Sequence, residues 1–182
     1  LMEKFKKIKS SAFNYDSFTK LIYKACHFSN LHATEIITDL ILNSYPNYDF
    51  TDCFFEALAS NSSEICRYFY DKKVNINYEQ LSLNGSKIGL FDPDLFLLIY
   101  HQVSQITKYK LMTNVCSVIS KKNKKLIEFF LKEKVPKQTE LITAVNTHEL
   151  EIVDLVLKYN KEPSFINQEG GAALTCASKN KD

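Results

Sequence analysis

The sequence predicts an all-α fold, a solenoid of stacked helix-turn-helix repeats, and three observations predict it. Apolar residues recur at helical spacing with no segment of strand period. One short pattern returns along the chain, and prolines fall just after its second half. The pattern's second helix is apolar on more than one side, so it must be buried between neighbours and no single unit folds alone.

The clearest copy is Glu151-Ile152-Val153-Asp154-Leu155-Val156-Leu157-Lys158-Tyr159. Lys125-Leu126-Ile127-Glu128-Phe129-Phe130-Leu131-Lys132 and Glu64-Ile65-Cys66-Arg67-Tyr68-Phe69-Tyr70-Asp71 repeat it, and Ile36 to Asn43 aligns when Ile37 is matched to Ile152. Eleven and eight positions before each anchoring residue stand an apolar residue and a small or β-branched one: Phe54 and Ala57, Val115 and Val118, Leu141 and Ala144. Ile22 and Ala25 serve the first copy, with a connection longer by about four residues. The wide gap between Ile65 and Leu126 holds a degenerate unit, whose helix is expected from about Asp94 to Tyr109 behind the Asp92-Pro93-Asp94 start signal. Pro46, Pro136 and Pro163 each follow a second helix. The expected organisation is a basic lead over 1–17 and one array over 18–182. Its units are 18–50, 51–77, degenerate 78–110, 111–137, 138–167 and a partial 168–182. The last unit's second anchor would fall beyond Asp182, so the chain is expected to continue into further repeats of a longer protein, with Leu174 left open.

These motifs resemble the ankyrin repeat. Its second-helix motif E-I-V-K-L-L-L-E-x-G-A-D-V-N aligns without gaps on Glu64 to Asn77, and its first-helix motif G-x-T-P-L-H-x-A is similar to Gly170 to Ala177. In its Lys, Asn and Tyr bias the chain resembles the divergent ankyrin arrays of protists such as trichomonads. There are departures from the family. Tyr45, Lys73, Lys134 and Asn160 stand where it places a left-handed glycine, and of these asparagine takes that conformation most readily. The threonine-proline step is absent, and periods of 26 and 28 residues imply shortened finger turns.

Composition narrows the function. Only 4 glycines occur where ordinary usage gives about 13, which leaves no glycine-rich phosphate loop, and Asn84-Gly85-Ser86-Lys87 reads as a turn. Net charge is +2, and every basic residue except Arg67 is a lysine, without the planar fork that reads bases. Nucleic acid is therefore not the expected partner. Cys26, Cys53, Cys66, Cys116 and Cys176 have neither metal-ligand nor disulfide spacing, so they read as buried thiols of a reducing compartment. The histidines His27, His32, His101 and His148 read as structural or surface residues, and no nucleophile motif accompanies any serine. Neither a membrane span nor a signal-peptide pattern is present. The aromatic residues, 10 Tyr and 13 Phe, fall mostly at second-helix core positions.

The expected function is a protein–protein interaction scaffold, cytoplasmic or nuclear, with no cofactor, metal or catalysis. The ankyrin resemblance implies a concave binding face of finger turns and first-helix positions, which in register are Glu56, Ser60, Ser117, Lys121, Thr143 and Thr147. The alternative is a helical-repeat module that binds RNA or anionic lipid through lysines. Lys4, Lys6, Lys7 and Lys9 form one such cluster, and Lys121, Lys122, Lys124 and Lys125 another.

Overall fold

The structure is a computed structural model that describes residues 14–134 and 136–179. Among these residues the protein is all-helical, with no strand beyond one isolated parallel bridge between Asp49 and Asn75. Packing gathers the described residues into two compact units, which divide between Tyr78 and Glu79.

The first unit holds two helical hairpins. Helix α1 (Tyr15–His27) and α2 (Leu31–Ser44) form one, α3 (Thr51–Ala59) and α4 (Ser63–Lys72) the other. Asparagine side chains start the first pair: Asn14 accepts from Ser17 N at 2.9 Å and Asn30 from Ala33 N at 3.0 Å, which satisfies amides the helices cannot. First helix packs on first helix and second on second, α1 against α3 and α2 against α4. The core between them contains Ile22, Cys26, Phe54, Ala57, Ile65 and Phe69. Between the hairpins Phe50 N donates to Asn75 O at 2.9 Å and Asn77 N to Thr51 Oγ1 at 2.7 Å.

In the second unit, 3₁₀ turns precede α5 (Pro93–Tyr100) and α6 (Gln105–Leu111). Two hairpins then follow, α7 (Val115–Ser120) with α8 (Lys124–Glu133) and α9 (Gln138–Val145) with α10 (Leu150–Tyr159), before α11 (Pro163–Lys179). Again α7 lies on α9 and α8 on α10, and α11 covers α9. Phe96, Val118, Leu126, Phe130, Ala144 and Ile152 are buried in this core.

All four hairpins share one backbone device. Ser29, Asn61, Lys122 and His148 each take a left-handed φ of 53–59° between first and second helix. In the first unit the amides close a Schellman pattern: Ser29 N to Cys26 O at 3.0 Å and Asn30 N to Ala25 O at 2.9 Å, then Asn61 N to Leu58 O at 3.0 Å and Ser62 N to Ala57 O at 2.9 Å. Each left-handed residue stands four positions after the small residue read from the sequence (Ala25, Ala57, Val118, Ala144), and in the last three hairpins four before the anchor (Ile65, Leu126, Ile152).

Three local expectations need correction. The first connection is not longer: its turn is the same, and the four extra residues are an added turn of α2, which runs to 14 residues against 10 in α4. Ile37 is consequently only half-buried, while Thr34, Thr38 and Ile41 reach the core. The helix expected over Asp94 to Tyr109 begins as read, with Asp92 accepting from Leu95 N at 2.8 Å, but breaks at 101–104 because Ser104 caps a new helix. Lys73, not Asn160, adopts the left-handed conformation after a second helix (φ 56°), since Val74 folds back on Phe69 O and is buried. Asn160 stays extended and its amide donates to Pro136 O at 3.1 Å. In α11, which passes through Gly171 at φ 77°, Ala173 is buried and Leu174 is 60% exposed, as the sequence led one to expect of Leu174.

Long-range contacts hold the α5–α6 break. The Glu79 carboxylate accepts from Ser104 N at 2.7 Å, from Ser104 Oγ at 2.8 Å and from Thr107 Oγ1. These bonds, the Thr107 hydroxyl foremost, hold the Glu79 carboxyl below the usual range. A depressed carboxylate stabilises the fold above its unfolded value of about 4.3, and that contribution disappears as pH falls through the folded value. The urea midpoint of Glu79→Gln is therefore expected below that of the parent at pH 7. The difference should shrink as the solution is acidified past the ordinary glutamate range, and a gap of constant size across that titration would show that the charge plays no part.

Candidate interaction surface

The left-handed turns give every hairpin a common register, with the first-helix and turn residues numbered back from the left-handed one. The sequence-read candidates occupy positions five and one before it: Glu56 and Ser60, Ser117 and Lys121, Thr143 and Thr147. Most of them serve the fold. Glu56 accepts from the Tyr23 hydroxyl at 2.6 Å and lies 2.6 Å from His27 Nδ1, which ties α3 to α1. That bond to Glu56, then burial, raises the Tyr23 phenol above its usual value. Ser60 receives the Ser29 hydroxyl on its carbonyl at 3.4 Å. Ser117 Oγ donates to Ser86 O at 3.0 Å. Thr143 Oγ1 donates to Thr139 O at 2.7 Å within its own helix.

Thr147 is largely buried and reaches the surface only at the wall of a groove. It is 7% exposed, and its hydroxyl donates to Ala144 O at 2.7 Å and receives Glu149 N at 3.3 Å, which closes the turn. Lys121 is exposed at its tip, but its first methylenes lie against Gly89.

The open positions are instead the left-handed residue and the one two before it. His27 and Ser29, Ala59 and Asn61, Ser120 and Lys122, and Asn146 and His148 are all exposed. In the second unit Ser120, Lys122, Thr143, Asn146, Thr147 and His148 line a shallow groove of about 400 Å³. Sequence reasoning did not single out Ser120 or Asn146, which stand two positions before a left-handed residue, and it read Lys122 only as part of a lysine cluster, because no glycine marks the turn.

Carboxylates temper the charge of this surface. Lys122 pairs with Glu149 at 2.9 Å and Lys124 with Glu151, in each case from one hairpin to the next. Lys124 holds the Glu151 carboxyl below its usual range, chiefly by hydrogen bonding, and is itself raised. The cluster Lys4, Lys6, Lys7 and Lys9 lies outside the described residues.

Two thiols are chemically quiet. Cys66, its Sγ 3.7 Å from Phe54 O, is pushed up to about 12 by burial, and Cys53 is raised by its hydrogen bond with Cys26 and by burial. A thiol held protonated in this way is a poor nucleophile. Among the described residues no group of three His, Cys, Asp or Glu side chains could hold a metal ion, and no helix is long and apolar enough to cross a membrane. No family model, curated protein or solved structure matches the chain.

Proposed function

We propose that this chain is a protein-binding module of ankyrin-like repeats, which acts as a scaffold without chemistry of its own. The observation that carries the reading is the recurrent left-handed turn at Ser29, Asn61, Lys122 and His148, joined to helix-on-helix stacking of successive hairpins inside each unit. Such an arrangement buries the repeat-forming residues and leaves the turn tips for recognition, so partner choice varies independently of the fold. The ion pairs on Lys122 and Lys124 favour a protein partner over RNA or anionic lipid, since part of the cationic surface is already neutralised.

The test compares the parent with Ser120→Arg/Asn146→Arg, which alters open positions, and with Asp154→Arg, which alters an exposed position on a second helix. In a quantitative pull-down, a protein partner retained by the parent and by Asp154→Arg is expected to be lost from the double variant. Equal loss from both variants would place binding elsewhere. Recovery of nucleic acid or lipid that washes off with salt would replace the reading by its alternative.

A further inference from the structure

The short segment between α2 and α3 packs three tyrosines around an open pocket at the start of α1. Tyr15, Ser44, Tyr45, Pro46, Asn47 and Tyr48 line about 350 Å³. The Tyr15 and Tyr45 rings stand at 88° with centroids 5.4 Å apart, and the Tyr48 ring lies 5.3 Å from Tyr15, tilted by 43°. The three rings border one pocket at different angles, and the negative face of an aromatic quadrupole attracts a cation within about 6 Å of its centroid.

We propose that Tyr15, Tyr45 and Tyr48 form an aromatic receptor for an alkylammonium group, the methylated lysine side chain of a partner polypeptide. Three features carry this assignment. The pocket is built rather than incidental: Tyr48 is 5% exposed, its hydroxyl donates to Thr19 Oγ1 at 3.0 Å, and its ring packs on Phe50 at 4.7 Å. The Tyr45 ring is braced by Phe18 at 6.2 Å. Tyr15 is 47% exposed, so the third wall is reachable from solvent. The Tyr48 phenol, pushed up to about 12 mainly by burial, is neutral at physiological pH.

Two described lysines stand over other rings. Lys108 stands 5.3 Å over Tyr100 and Lys158 5.6 Å over Tyr159, and among the described residues no lysine is recorded over Tyr15, Tyr45 or Tyr48. A methylated ammonium is the cation that suits such a pocket, because methylation strips its hydration while keeping its charge, and the Pro46 ring adds apolar contact. This site lies apart from the turn tips and does not depend on the reading proposed for them.

The experiment titrates the full chain, with tyrosine rings labelled for NMR, using a short peptide that carries trimethyllysine. The same peptide carrying its uncharged tert-butyl carbon isostere is the control. Shifts of the Tyr15 and Tyr45 rings are expected, with the charged peptide binding roughly fivefold tighter or more. Tyr15→Leu should remove most of that preference while leaving the amide spectrum of the core unchanged, since Tyr15 lies largely outside it. Equal binding of the two peptides, an unchanged preference in Tyr15→Leu, or no ring shift at millimolar peptide would each overturn the proposal.

Discussion

Phe96→Ala is expected to lower the stability of the second unit by about 3–5 kcal/mol, the range for emptying a fully enclosed phenylalanine site. Phe96 is wholly buried, with ring centroids 5.7 Å from Phe91, 5.8 Å from Tyr100, 6.1 Å from Phe129 and 5.7 Å from Phe130. It joins α5 to α8, the second helix of the first hairpin that follows. Truncation leaves a cavity among four rings, and it forfeits edge-to-face terms with Phe91 and Phe129 of ~0.5–1.5 kcal/mol each. Hydrogen exchange resolves the effect by region, which matters because two units need not unfold together. Protection in α5, α7 and α8 should fall most, with the first unit little changed. A loss below about 1 kcal/mol in that region would show that the ring is not its centre.

Gly89→Ala is the second large effect, expected to cost about 1–3 kcal/mol by overpacking. A Cβ at Gly89 would meet Lys121 Cβ at 2.6 Å, Lys121 Cγ at 2.7 Å and Ser117 O at 3.1 Å. Those are the root of a side chain and a backbone carbonyl, so no rotamer change relieves them, and the 3₁₀ turn Gly85–Leu90 must move off α7. At Gly85 the atoms nearest an added carbon are those of the Asn114 side-chain amide. Chemical denaturation of Gly89→Ala in a Lys121→Gly background should recover much of the loss, and a purely additive result would place the cost elsewhere.

The two glycines of this turn show what a sequence can and cannot disclose. Scarcity of glycine argued against phosphate loops, yet gave no hint that Gly89 is held by proximity to α7. Periodicity was reliable where cores are apolar: Ile65, Leu126 and Ile152 are fully buried, as are Phe54, Ala57, Val118 and Ala144. It failed at α2, where Thr34 and Thr38 occupy core positions and Ile37 does not; Thr34 buries like an apolar residue because it returns its hydroxyl to Asn30 O at 2.9 Å. The α5–α6 break escaped notice because Glu79, 25 residues away, helps fix it. On the candidate surface the repeat register aligns Glu56, Ser117 and Thr143, and likewise Ser60, Lys121 and Thr147, but does not tell which of them pack. Glu56 and Thr147 look like free polar residues in a sequence, and only packing shows that one joins two helices and the other closes a turn.

The four left-handed turns have one more consequence. A residue other than glycine in this conformation costs roughly 1–2 kcal/mol, and together the four cost a sizeable part of the ~5–15 kcal/mol typical of a whole domain. That penalty comes from the backbone and Cβ, and is nearly the same for serine, lysine or histidine. Once incurred, it makes the identity of the tip side chain almost neutral to folding: Ser29, Lys122 and His148 are interchangeable to the backbone while differing in size, charge and hydrogen bonding. The hairpins thus hold positions at which chemistry can drift without further loss of fold, and a glycine there would be steadier but blank.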